Sequence, residues 1–167
     1  METIAVYWEN RIKTYGFQIE RNLSLFQIAI TPQALAGIGS TLLNETGVIH
    51  FRWVLVQASS TQTLKLHILL DRQWEQPMRV FLDDYRGNGE DLDLRVVSPV
   101  EMVFFHGPHF GDRFGIADTA LGTLREKGLP ILAAGCTGAS VYIVVPEHCS
   151  TETGNLLSDL FDPPPST

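Results

Sequence analysis

Between Leu23 and Gly47 the chain reads LSLFQIAITPQALAGIGSTLLNETG, and its hydrophobic period changes halfway. Leu23 to Ile30 alternates and is rich in β-formers, as a strand with one buried face requires. Thr31-Pro32 then supplies a hydroxyl that can cap and a proline suited to the first helical position. Leu35, Ile38, Leu42 and Leu43 recur at i, i+3, i+7 and i+8, the stripe of an amphipathic helix, and Gly47 stands where a left-handed C-cap is wanted.

Downstream of this strand-to-helix unit, Val48–Ala58 is strand-like, Ser59-Ser60-Thr61-Gln62 is a polar turn, and Thr63–Leu70 sets Leu64, Leu66 and Ile68 against Thr63, Lys65 and His67. The two runs read as a hairpin. Helical spacing returns over Asp71–Tyr85 through Met78, Phe81, Leu82 and Tyr85, with Pro77 marking either a late first helical position or a broken first turn, and Leu92–Val97 alternates as a further strand. The order is β-α-β-β-α-β, the split pattern of a ferredoxin-like sandwich.

The second half repeats it: a strand over Val100–Phe105, a helix over Gly115–Lys127, a strand over Leu129–Ala134, a turn at Gly135–Gly138, a strand over Ser140–Val145, and a helix from Ser150 through Phe161. An offset of 81 residues pairs Leu35 with Ile116, Ala36 with Ala117, Leu43 with Leu124 and Gly47 with Gly128, which fits two copies of one module. The second copy lacks a fourth strand, and Asp162–Thr167, with its three prolines, is expected as a disordered tail. Thr3–Trp8 is a surplus strand at the other end of the chain, so it is expected to cross over and complete the second sheet. Lys13–Ile19 is strand-like but has no assigned place. The expected fold is therefore α+β: two ferredoxin-like modules with antiparallel sheets, over residues 10–97 and 98–161, the latter joined by strand 3–9.

Composition narrows the function classes. The 167 residues are 44% hydrophobic, enough for a sizeable core, and carry twelve Lys plus Arg against nineteen Asp plus Glu. A formal charge of −7 with no basic cluster disfavours nucleic acid. The longest apolar runs, at Val54-Leu55-Val56 and Ile143-Val144-Val145, are strand-length, far below the ~20 residues a bilayer needs. With no leader pattern, a cytoplasmic protein is expected, its two cysteines, Cys136 and Cys149, reduced.

The run Phe105-His106-Gly107-Pro108-His109-Phe110-Gly111-Asp112-Arg113-Phe114-Gly115-Ile116-Ala117, followed by Leu121, Leu124, Gly128-Leu129-Pro130-Ile131 and Ile143-Val144-Val145-Pro146-Glu147, resembles the ACT domain in the tandem arrangement of the aspartokinase regulatory region. The resemblance is good over about 98–161 and weaker over about 22–97, where Thr31-Pro32-Gln33-Ala34-Leu35 replaces the family's Asp-x-Pro-Gly pattern. It implies a regulatory module that binds an amino acid at a strand-to-helix loop and signals to a partner. Asp112 resembles the acidic residue that takes the ammonium, Gly115 the glycine at the helix start, and Ile116 and Ala117 the N–H donors to the carboxylate. Arg113, Phe114 and His109 belong to the same loop, and Gln57 resembles a ligand-contacting glutamine of the second strand. Phe114 replaces the usual proline, and Gln33-Ala34 omits the glycine from the first copy, so the second copy is the expected site.

Blander readings compete. Asp112 also suits a turn or a helix cap. His106 and His109, with His148 or Asp112, suggest a metal-dependent hydrolase, but their spacing spans Gly-Pro in a loop and fixes no third ligand. Cys136 has no local base, Asp83-Asp84 and Glu90-Asp91-Asp93 read as solvated surface, and Gly37-x-Gly39 reads as a close helix contact rather than a dinucleotide fingerprint. Trp8, Trp53 and Trp74 read as core or interface aromatics. The expectation is a regulatory protein, not an enzyme, needing no cofactor or metal, that binds an amino acid or similar zwitterion as a homodimer and serves a regulated enzyme. The alternatives are a dimerisation module with a decayed site and the hydrolase.

Overall fold

A computed structural model describes residues 11–45, 49–60, 62–87, 92–108, 110–112 and 114–163. Six strands and four helices follow one another as β1 (Phe17–Ile30), α1 (Pro32–Glu45), β2 (Phe51–Ala58), β3 (Leu64–Asp71), α2 (Glu75–Gly87), β4 (Asp93–His106), α3 (Ile116–Glu126), β5 (Ala133–Cys136), β6 (Ser140–Pro146) and α4 (Ser150–Leu160). None of the described helices is long and apolar enough to cross a membrane. The α+β class expected from the hydrophobic periods is the class observed.

The chain divides into two compact units, and one is nested in the sequence of the other: residues 20–101 form the first, residues 1–19 and 102–167 the second. β1 and β4 both run through the boundaries. Leu92–Val97 and Val100–Phe105, read as separate strands, fall within β4 except for Leu92, and Lys13–Ile19, which had no place, leads into the long β1.

In the unit 20–101 the strands lie in the order β2-β3-β1-β4, with β3 antiparallel to both β1 and β2. Phe26, Ile28 and Ile30 of β1 stand opposite Ile68, Leu66 and Leu64 of β3. This face meets Ala34 and Ile38 of α1 and Met78, Phe81 and Leu82 of α2 in one buried cluster. Thr31 caps α1 as expected, its Oγ1 accepting the Ala34 N–H at 3.2 Å. Gly37, but not Gly39, marks a close helix contact, since a Cβ on Gly37 would collide with the Tyr85 hydroxyl of α2. Pro77 is the third residue of α2, where its missing N–H costs no helical bond.

Glu75 opens α2, and its carboxylate is locked from two sides. Ser24 Oγ donates to Oε2 at 2.7 Å and lies 2.9 Å from Ser98 Oγ, while Arg79 Nη2 donates to Oε1 at 2.8 Å. Burial alone would push this carboxyl up. Hydrogen bonds from Ser98, Ser24 and Arg79, together with the Arg79 charge, outweigh that and hold its pKa at about 2.

The other unit orders its strands β4-β6-β5 and packs Val103 and Phe105 of β4 with Ile116, Ala120 and Leu124 of α3, Val141, Ile143 and Val145 of β6, and Leu157 of α4. Strand Thr3–Trp8, expected to complete this sheet, lies outside the described residues. The described part of the N-terminal segment does join this unit. Thr14 N–H donates to Asp162 O at 2.9 Å, Asp162 N–H to Ile12 O at 2.9 Å, and Tyr15 N–H to His106 O at 2.9 Å. Phe17 packs on Phe105, ring centroids 5.1 Å apart. Asp162, assigned to a disordered tail, is thus held in a parallel bridge to Lys13, because a backbone donor, Thr14 N–H, and an acceptor, Ile12 O, of the N-terminal segment both reach it.

Candidate functional site

The loop between β4 and α3 is shaped by three glycines. A Cβ on Gly107 would strike the Lys13 carbonyl oxygen and the Phe110 ring, and one on Gly111 would come within 3.1 Å of the Gly138 carbonyl oxygen. The backbone can therefore turn tightly through the short 3-10 helix Phe110–Asp112. Phe110 anchors it, edge-on to Phe105 at 5.8 Å. Gly115 then adopts a left-handed conformation, φ +84°, and α3 begins at Ile116.

That helix start is uncapped by any side chain of Gly115, and its first backbone bond runs from Thr119 N–H to Gly115 O at 2.8 Å. The N–H groups of Ile116, Ala117 and Asp118 precede it and have no carbonyl of their own helix to reach. They project at the positive end of the helix dipole. Apart from its chain neighbours, no described atom lies within 4 Å of where a Cβ on Gly115 would stand, which leaves this end accessible. The far end of α3 is closed in the opposite manner: Gly128, φ +75°, and Leu129 donate back to Arg125 O and Leu124 O, both at 3.0 Å.

A cavity of about 210 Å³ adjoins the start of α3, lined by Phe110, Phe114, Gly115, Ile116, Ala117, Cys136, Thr137 and Val141. Its far wall is the β5–β6 hairpin, in which Cys136 pairs with Val141 and Thr137 N–H donates to Ser140 O at 2.9 Å. Of the residues singled out in the sequence, Phe114, Gly115, Ile116 and Ala117 meet there. Asp112 ends the 3-10 turn just before them, while His109 and Arg113 lie outside the described residues. Gln57 is an exposed residue of β2, opposite Lys65, in the other unit, and does not line this cavity. Sequence reasoning missed Phe110, Cys136, Thr137 and Val141. Phe110 stood in the quoted loop without a role, and the only signal for the other three was the hairpin turn, which looked sufficient as an explanation of its small residues.

A second hollow, of about 320 Å³, lies at the closed end of α3 between Leu121, Arg125, Leu129, Ile131 and Ala134. It is larger, but a helix C-terminus presents carbonyl acceptors rather than N–H donors, and those of Leu124 and Arg125 are already bonded. Among the described residues no group of three or more His, Cys, Asp or Glu could hold a metal ion. Both cysteines are free thiols.

No family model and no curated protein matches the sequence. Solved structures do match the fold. The regulatory subunit of aspartate kinase from Thermus thermophilus, in its ligand-free form, superposes with a TM-score of 0.75 at 8% identity over 89% of this chain and 99% of its own. Aspartate kinase from Synechocystis gives 0.76 at 12% identity over 92% of this chain but 28% of its own. E. coli aspartokinase III in complex with lysine and aspartate gives 0.61 at 16% identity, over 93% and 35% respectively. The likeness is one of fold, and it matches the tandem ACT arrangement that the sequence resembles.

Proposed function

We propose that this chain, which has the tandem ACT fold of aspartate kinase regulatory subunits, is a cytoplasmic regulatory module that binds an amino acid at the start of α3 and has no catalytic activity of its own. The observation that carries this reading is the uncapped helix start opening on a cavity of about 210 Å³. The N–H groups of Ile116 and Ala117 donate to the ligand carboxylate, which the helix dipole also favours. Asp112 receives the ammonium, and Arg113 and His109 of the same loop border the ligand. The corresponding helix of the other unit is a poorer host, because Thr31 already accepts a hydrogen bond from one of its first N–H groups.

Ligand binding coupled by ~1–3 kcal/mol to a partner suffices for regulation. The partner is a regulated enzyme, and the chain pairs with a second copy of itself. The test is a thermal-shift screen against the twenty amino acids, followed by calorimetric titration. A true ligand at a hundredfold its Kd stabilises by about 2.7 kcal/mol, an easily read rise in Tm. No rise with any amino acid at millimolar concentration overturns the reading.

A further inference from the structure

The side chains around the cavity at the start of α3 are mostly apolar. Phe110, Ile116 and Val141 form buried apolar sides, at 8%, 5% and 3% exposure, and Ala117 adds a methyl group. Cys136 and Thr137 complete the lining, and among the described lining residues there is no Asp, Glu, Lys, Arg or His. One wall is out of keeping: Phe114 borders the cavity yet is 102% exposed, its ring as fully in water as in an extended chain. An isolated exposed leucine needs no explanation, but a wholly solvated phenylalanine beside an apolar hollow has surface to bury and a place to bury it.

We infer that the cavity selects an amino acid with an aliphatic side chain of about three or four carbons, and that Phe114 sets this choice by folding over that side chain once the ligand is seated. The inference rests on the amino-acid reading above and adds the class of ligand. Size supports it. An apolar cavity of about 150 Å³ holds one benzene, so roughly 25 Å³ serves each heavy atom and this cavity suits about eight, the size of valine, with isoleucine and leucine one atom larger. Charge supports it too: with Asp112 engaged by the α-ammonium, none of the described lining residues offers a second carboxylate to the side-chain ammonium of a lysine. Closure of Phe114 then completes a site that the free protein holds half-built.

Calorimetric titration of the full chain with L-valine, L-isoleucine and L-lysine tests this, on the wild type, Phe114→Ala and Phe114→Leu. Valine and isoleucine are expected to bind at least tenfold more tightly than lysine. Phe114→Ala should weaken isoleucine about tenfold and Phe114→Leu should recover most of the loss, both with unchanged Tm, since the ring makes no contribution to the unliganded core. Lysine binding as tightly as isoleucine, or Phe114→Ala binding isoleucine like the wild type, overturns the inference and leaves the amino-acid reading standing. Failure of all three to bind, when another amino acid does bind, also overturns it, and failure of every amino acid sinks both readings.

Discussion

The phenol of Tyr85 donates to the main-chain carbonyl of Ala34 at 3.2 Å, over the turn of α1 where Gly37 has no side chain. A methyl group at residue 37 would occupy the position of that hydroxyl. Gly37→Ala is therefore expected to destabilise the unit 20–101 by about 1–3 kcal/mol through the displaced ring and lost bond, against the usual gain from alanine in a helix. Gly39→Ala, with open space around it, should be neutral or stabilising. Urea unfolding of the two variants measures the contrast, and equal behaviour would refute the packing argument.

Glu75 gives the unit an acid limit. Its folded pKa of about 2 lies below the value in an unfolded chain, so its contribution is complete above about pH 5 and is lost as pH falls through the folded pKa. The contribution at neutral pH is at most about 3 kcal/mol. Glu75→Gln should lower stability at pH 7 and flatten the decline between pH 5 and 2, read by urea unfolding at each pH.

His67 acts in a higher window. It is 7% exposed on β3, its Nδ1 has no hydrogen-bond partner, and burial, helped by the Lys65 charge, pushes its pKa down. With the folded pKa depressed, the unfolded chain takes up the proton first, so stability is full above about pH 6.5 and falls as pH drops below it. His67→Leu should abolish the loss between pH 7 and 5, and an unchanged slope would assign that loss elsewhere.

Thr31→Ala removes the only side-chain cap found at α1 among the described residues and should cost about 1 kcal/mol. The same change also frees the Ala34 N–H. If ligand capture depends on an uncapped helix start alone, the variant would gain binding in the unit 20–101; if it needs the glycine and cavity of α3, it would not. The second outcome is expected, and titration of the variant distinguishes them by stoichiometry.

Much of this arrangement was written in residue patterns with strong physical causes. The alternation of Leu23–Ile30, the Thr31-Pro32 entry into α1 and the Gly115 entry into α3 each admit few backbones, and each lies where its pattern placed it. The repeat was legible but slipped by one residue. Burial pairs Ala34, Ile38 and Leu42 with Ile116, Ala120 and Leu124, 82 residues apart rather than 81. A helical stripe tolerates such a slip, since i+3 and i+4 fall on one face. Continuity of β4 through Ser98-Pro99 was not legible, because strand pairing is decided by neighbours distant in sequence. The cavity wall at Cys136–Val141 was hidden for the same reason: it reaches α3 only through the fold.

Nesting residues 20–101 between the two stretches of the other unit orders events during synthesis. A ribosome releases the whole of the inner unit while the outer one still lacks its helices, so Ile12 and Thr14 must wait for Asp162, made only after that unit, before their backbone finds its partner. A nascent chain stalled once residue 101 has cleared the ribosome should already resist protease over its middle while the segment around Ile12 and Thr14 remains open to attack.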